Sequence, residues 1–146
     1  MTVKQISVFV ENKPGQLSEF TRLLEKNKID MRALSIADTE DFGILRIIVD
    51  DPYKTVCILK EASYVCSVTP VLAVEISDRP GSLGKVLDVL GENGVNLEYT
   101  YAFITRKKDS AYMIFRVADN DKAIEVLNKN SIRPICQDEL AELFEG

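Results

Sequence analysis

Asp78-Arg79-Pro80-Gly81-Ser82-Leu83 repeats Asn12-Lys13-Pro14-Gly15-Gln16-Leu17 at a distance of 66 residues. An alternating apolar stretch precedes each copy, Ile6, Val8, Val10 in the first and Leu72, Val74, Ile76 in the second. After each copy the apolar period changes: Leu17, Phe20, Leu23, Leu24 match Leu83, Val86, Val89, Leu90. The same offset carries Asn27, Ile29, Asp30, Met31 onto Asn93, Val95, Asn96, Leu97. A period of two that becomes a helical period across a Pro-Gly pair reads as strand, turn and helix. Two such copies at one offset make the chain a tandem repeat of one small module.

The pattern extends on both sides of the helices. In the first module Val3–Val10 reads as a strand, Leu17–Lys26 as a helix, Ile29–Ala37 as a strand and Thr39-Glu40-Asp41 as a hairpin turn. Ile44–Val49 reads as a third strand, Pro52–Glu61 as a helix started by Asp51, and Val65–Thr69 as a fourth strand. The second module repeats the order with strands at Val71–Ser77, Val95–Thr105, Ala111–Val117 and Ile132–Cys136. Its helices fall at Leu83–Glu92, stopped by Asn93-Gly94, and Asp121–Asn130, and Leu140, Leu143 and Phe144 mark a short acidic C-terminal helix. The fold class expected is α+β: two tandem βαββαβ ferredoxin-like sandwiches, each an antiparallel four-stranded sheet with helices on one face. A right-handed crossover from the first strand to a parallel third strand is part of that expectation. The domains are residues 1–69 and 70–146, with Pro70 alone between them. Each half, at roughly 70 residues, is small enough to need a neighbour to pack on.

Composition removes several function classes. The net charge of −5 and the lack of a basic face argue against nucleic acid. Arg106-Lys107-Lys108 is the basic run, and it reads as a solvated turn. The sequence has no histidine, so Ser-His-Asp, Cys-His and imidazole metal chemistry are absent. Cys57, Cys66 and Cys136 are odd in number, form no CxxC pair and read as free, buried or half-buried core thiols of a reducing compartment. No apolar run reaches membrane-spanning length and no leader-like segment opens the chain, so the expected location is cytoplasmic, with no membrane partner.

The second copy, with Asp78-Arg79-Pro80-Gly81-Ser82-Leu83 and Gly94-Val95-Asn96-Leu97, resembles the ACT domain family. In the first copy Asn12 replaces the acid and Lys28-Ile29-Asp30-Met31 replaces Gly-Val-Asn-Leu. The likeness covers Ile6 to Cys136 as two modules. It implies regulation, since ACT domains commonly bind amino acids or similar metabolites and control enzymes such as phosphoglycerate dehydrogenase and aspartokinase. It also implies where the ligand sits, between the glycine turn of one module and the second-strand edge of its neighbour. Carried over, those ligand-binding positions are Asn12, Lys13, Pro14, Gly15, Gln16 and Leu17 with Asp30 and Met31. In the second copy they are Asp78, Arg79, Pro80, Gly81, Ser82 and Leu83 with Asn96 and Leu97.

The residues give the same site an independent reason. A helix N-terminus offers unpaired N–H groups to a carboxylate, and glycine lets a ligand approach the backbone closely. Asp78, or the carboxamide of Asn12, can accept from an ammonium. Turn chemistry alone would also require Pro14-Gly15 and Pro80-Gly81, and Asp30 and Asn96 also suit a plain strand entrance. Tyr99, Tyr101 and Phe103 alternate along one strand face and read as a packed interface rather than a base-stacking platform. Arg79 lies where an acylphosphatase-like enzyme would hold its arginine, but no glycine-rich cradle surrounds it, and no catalytic role is assigned. The function expected is a non-enzymatic regulatory protein that binds an amino acid, works in trans on amino-acid metabolism, forms a homodimer and needs no cofactor or metal. An assembly module of the same fold without a ligand is the alternative.

Overall fold

The computed structural model describes residues 1–38 and 42–145, so the hairpin turn expected at Thr39-Glu40-Asp41 lies outside the described residues. The chain divides into two compact units, Lys4–Thr69 and Met1–Val3 with Pro70–Gly146.

In the first unit β1 (Val3–Glu11) leads through the Pro14-Gly15 turn into α1 (Gln16–Lys26). Strands β2 (Met31–Asp38) and β3 (Phe42–Val49) follow, then α2 (Pro52–Glu61). β3 is central and pairs antiparallel with both neighbours, from Ile6 opposite Ile47 to Glu11 opposite Phe42, and from Met31 opposite Val49 to Asp38 opposite Gly43. The parallel third strand expected from the sequence is therefore corrected. α1 returns the chain so that β2 runs with β1, and the hairpin then inverts β3 between them. The alternation Ile6, Val8, Val10 and Leu45, Ile47, Val49 puts one sheet face against Phe20 and Leu24 of α1 and Leu59 of α2. Asp51 caps α2 by accepting from the Lys54 N–H at 3.0 Å, with proline at the first helical position.

The second unit is built on β4 (Cys66–Ser77), α3 (Ser82–Glu92), β5 (Leu97–Phe103), β6 (Ser110–Val117), α4 (Asn120–Lys129) and α5 (Gln137–Glu145). β6 is central, with Leu72 opposite Phe115 on one side and Tyr101 opposite Ile114 on the other. Leu72, Val74, Phe115 and Val117 pack on Val86 and Leu90 of α3 and Ala123 and Leu127 of α4. Asp119 caps α4 as Asp51 caps α2, accepting from the Lys122 N–H at 3.1 Å. Leu140 of α5 is fully buried, and the Phe144 ring meets Phe103 edge-on with centroids 5.6 Å apart.

Two four-stranded sandwiches, the expected fold class, are not what forms. The strands pair as β1-β3-β2 in the first unit and as β5-β6-β4 in the second, three strands in each order. Two departures from the reading of the sequence account for the difference. Val65–Thr69 and Val71–Ser77 are not separate strands, because Pro70 lies inside the continuous strand β4. The fixed φ of proline fits extended backbone and costs only its own N–H there. Ile132–Cys136 is not a strand: Pro134 lacks a donor, and the Ile135 N–H reaches the Ala73 carbonyl at 2.9 Å. The α+β character stands.

Candidate functional site

The two Pro-Gly turns have one construction. Gly15 and Gly81 precede their helices with φ of +84° and +87°. Lys13 donates to the Glu11 carbonyl at 3.0 Å, Gln16 to Lys13 at 3.3 Å and Glu19 to Gly15 at 2.9 Å. At the repeat offset Arg79 donates to Ser77 at 2.9 Å, Ser82 to Arg79 at 3.2 Å and Lys85 to Gly81 at 3.2 Å. A Cβ built on either glycine would meet nothing within 4 Å, so both turns face open space. Neither helix has a side-chain cap, so beyond the Gln16 and Ser82 N–H groups spent on the turn itself, no capping side chain takes the first-turn donors.

The turns differ in their surroundings. At the first, Asn12, Lys13, Gln16 and Leu17 join Val10, Glu11, Ile36 and Gly43 around a cavity of about 100 Å³. The Lys13 ammonium pairs with Glu11, whose hydrogen bond and charge hold the lysine above its ordinary range. At the second, the Asp78 N–H is tied to the Asp109 carbonyl at 3.0 Å and the side chain is exposed. Leu17 and Leu83 turn inward and pack on their respective cores.

The remaining carried-over positions do not join the turns within a unit. Glu11 pairs with Phe42 at one end of β3, whereas Met31 pairs with Val49 at the other. Ser77 pairs with Ser110 at one end of β6, and Leu97 with Val117 at the other. Asp30 is engaged structurally: its carboxylate accepts from Arg32 Nε at 3.0 Å, and its N–H donates to Asp50 Oδ1 at 3.0 Å. Met31 and Leu97 lean on the two cores, and Asn96 is exposed.

Two larger clefts lie beside this framework, and reading the sequence passed over both. The first, of about 580 Å³, borders the first turn through Glu11 and Gln16 and has Phe9, Phe42, Tyr64 and Val65 along it. Phe9, Phe42 and Val65 are 51%, 54% and 67% exposed. Phe9 breaks the outward polar alternation of β1, between Ser7 and Glu11, which is the signal that could have found it, whereas the nearly continuous apolar run of β3 hides Phe42. The second cleft, of about 540 Å³, lies in the second unit between Glu75, Lys107 and Tyr112 and the segment from Ser131 into α5. Lys107, read from sequence as part of a solvated turn, donates to Glu75 at 2.6 Å. Hydrogen bonds from Lys107 and then Ser110 hold the Glu75 carboxyl below its usual range, while burial first and the Glu75 charge second push the Tyr112 phenol up.

Two further expectations change. Cys57 is exposed on α2 rather than core, while Cys66 and Cys136 are half-buried, and all three are free. Phe103 of the aromatic row finds its partner within its own unit, on α5. Among the described residues no helix is long and apolar enough to cross a membrane.

Two copies of one strand, open glycine turn and helix define a class of paired small α+β modules. The chain belongs to the ACT domain family: a profile of the ACT domain pair, a regulatory family, matches residues 1–144. A crystal structure of a protein from Bacteroides thetaiotaomicron is 40% identical, with a TM-score of 0.89 over 98% of each chain. The ligand-free regulatory subunit of aspartate kinase from Thermus thermophilus is similar at 14% identity, with a TM-score of 0.62 over 86% of this chain and 90% of that one. Aspartate kinase from Synechocystis is 20% identical with a TM-score of 0.57, over 91% of this chain and 26% of its own. At such identities the last two show a shared fold. A comparison with curated proteins found no match.

Proposed function

We propose that the chain binds an amino acid or a related small zwitterion at its Pro-Gly turns and regulates an enzyme of amino-acid metabolism in trans, in the cytoplasm. The contacts are Asn12, Lys13, Pro14, Gly15, Gln16 and Leu17 in the first unit, and Asp78, Arg79, Pro80, Gly81, Ser82 and Leu83 in the second. The observation that carries this reading is the repeated left-handed glycine with open space above it, at two uncapped helix N-termini. Helix N–H groups receive the ligand carboxylate, and Asp78 or the Asn12 carboxamide receives its ammonium. Asp30 and Met31, or Asn96 and Leu97, lie at the far end of their own unit's sheet from the turn, so they enter the site only across an interface between modules, which the proposal assigns to a second copy of the chain. A homodimer is therefore part of the proposal, and neither cofactor nor catalysis is.

A thermal-shift and titration panel of the common amino acids tests it. A ligand at about 100 times its dissociation constant stabilises the protein by roughly 2.7 kcal/mol, and Asp78→Ala or Asn12→Ala reduces that gain. Absence of stabilisation by every amino acid at millimolar levels defeats the reading.

The second reading is an assembly module without a ligand, favoured by the exposed Phe9, Phe42 and Val65. It expects Phe42→Glu to break a complex that amino acids leave unchanged.

A further inference from the structure

The cleft of about 540 Å³ in the second unit is separate from the turns, since none of residues 78–83 lines it. Its charges are arranged in pairs with one left over. Lys107 Nζ donates to Glu75 Oε1 at 2.6 Å, and the Ser110 hydroxyl donates to the same oxygen at 2.7 Å. Arg133 makes two bonds to Glu139 on α5, at 2.7 and 2.6 Å. Glu142, one helical turn beyond Glu139, also lines the cleft, and among the described residues no ion pair holds it. Two cations thus face three carboxylates, and Tyr112 adds a phenol from a residue only 4% exposed.

The repeat supplies an internal control. Glu75 occupies the place of Phe9 and Ser131 that of Val65, each 66 residues on. Tyr112 lies opposite Glu75 as Ile44 lies opposite Phe9. The first unit fills these positions with apolar residues, of which Phe9 and Val65 line a cleft of about 580 Å³ whose other wall includes α1. In the second unit α5, which has no counterpart in the first, supplies that wall. The fold accepts apolar groups at these positions, so it does not itself demand the charged set. Cavities of several hundred Å³ with convergent polar groups are the usual form of small-ligand sites, and displaced titrations gather there.

From this arrangement we infer that the second-unit cleft is a ligand site independent of the turns, taking a small molecule with a cationic nitrogen and a carboxylate, as in a basic amino acid. The surplus carboxylate of Glu142, with Glu75 lining the same cleft, receives the cationic nitrogen. Lys107 and Arg133 keep donor N–H groups beyond those spent on their glutamates, and these receive the carboxylate. Glu75 stays ionised across the neutral range because Lys107 and Ser110 hold its carboxyl down.

Calorimetric titration of the whole protein with L-arginine tests the inference, with L-glutamate and L-phenylalanine as comparisons. L-arginine binds the parent protein and L-glutamate does not displace it. Glu142→Gln, at an exposed position that threatens no packing, weakens binding about tenfold or more. Glu75→Leu, which restores the apolar character of Phe9, abolishes it, with circular dichroism confirming the fold. The inference is overturned if L-arginine gives no heat at about 10 mM, or if neither Glu142→Gln nor Glu75→Leu changes its affinity. Loss in Asp78→Ala with retention in Glu142→Gln also overturns it, and places the ligand at the turn instead.

Discussion

At the residue scale, Gly15 and Gly81 separate backbone need from ligand access. Both have φ near +85°, where an L side chain costs roughly 1–2 kcal/mol. Both also have empty space where a Cβ would go, so the cost of alanine is conformational and not steric. Gly15→Ala and Gly81→Ala should each lower stability by about that amount in urea unfolding, with an unchanged denaturant slope. A loss above about 4 kcal/mol would mean a clash the geometry does not contain. Lys28 and Gly94 test the converse, because they share the left-handed position after their helices, at φ of +56° and +71°. Lys28 holds it with a Cβ, so Lys28→Gly should stabilise the protein by roughly 0.5–1 kcal/mol. A destabilised Lys28→Gly protein would show that the lysine side chain matters more than its backbone.

At the element scale, α5 is the part with no counterpart in the first unit, and its anchor is titratable. Arg133 first, and then the Cys136 backbone N–H, hold the Glu139 carboxyl down to about 2 from an ordinary value of 4.5. A carboxyl depressed in the folded state contributes fully above its unfolded value and loses that contribution as pH falls through the folded one. The hold on α5 should therefore weaken as pH drops from about 4.5 toward 2. Hydrogen exchange across α5 should rise in that window before exchange in β6 does, and Glu139→Gln should remove the pH step. If α5 and β6 lose protection together in both proteins, the Arg133–Glu139 pair is not what holds the helix. The same element shows how far the letters alone could be read. Leu140, Leu143 and Phe144 marked a helix by spacing, whereas its wall of the cleft did not show, since Arg133 and Glu139 meet only after Pro134 interrupts the extended segment. Helices and most strands followed from apolar period and caps, because those are local. The number of strands did not, because whether Pro70 breaks a strand or rides inside one depends on which neighbour needs its N–H.

At the scale of the whole molecule, the positions carried over from the family impose a geometric limit. Within the first unit the turn lies at the Phe42 end of β3 and Met31 at the Val49 end, seven strand positions apart, or roughly 23 Å. The second unit repeats the separation between Ser110 and Val117. A single amino acid, whose backbone spans about 3.5 Å, cannot touch both sets in one unit. A ligand that uses both must therefore join two bodies, and on the proposed reading the second body is another copy of the chain. Amino-acid binding should then depend on protein concentration. Light scattering behind a sizing column should show ligand raising the mass from that of one 16.4 kDa chain toward twice that value, or tightening a dimer already present. Asn96→Ala should weaken this association while circular dichroism stays unchanged, because Asn96 is exposed and outside either core. Mass unmoved at saturating ligand, together with an Asn96→Ala protein that binds as the parent does, would restrict the site to the turn alone, leaving the uncapped helix N-terminus and Asp78 or Asn12 to account for all of the affinity.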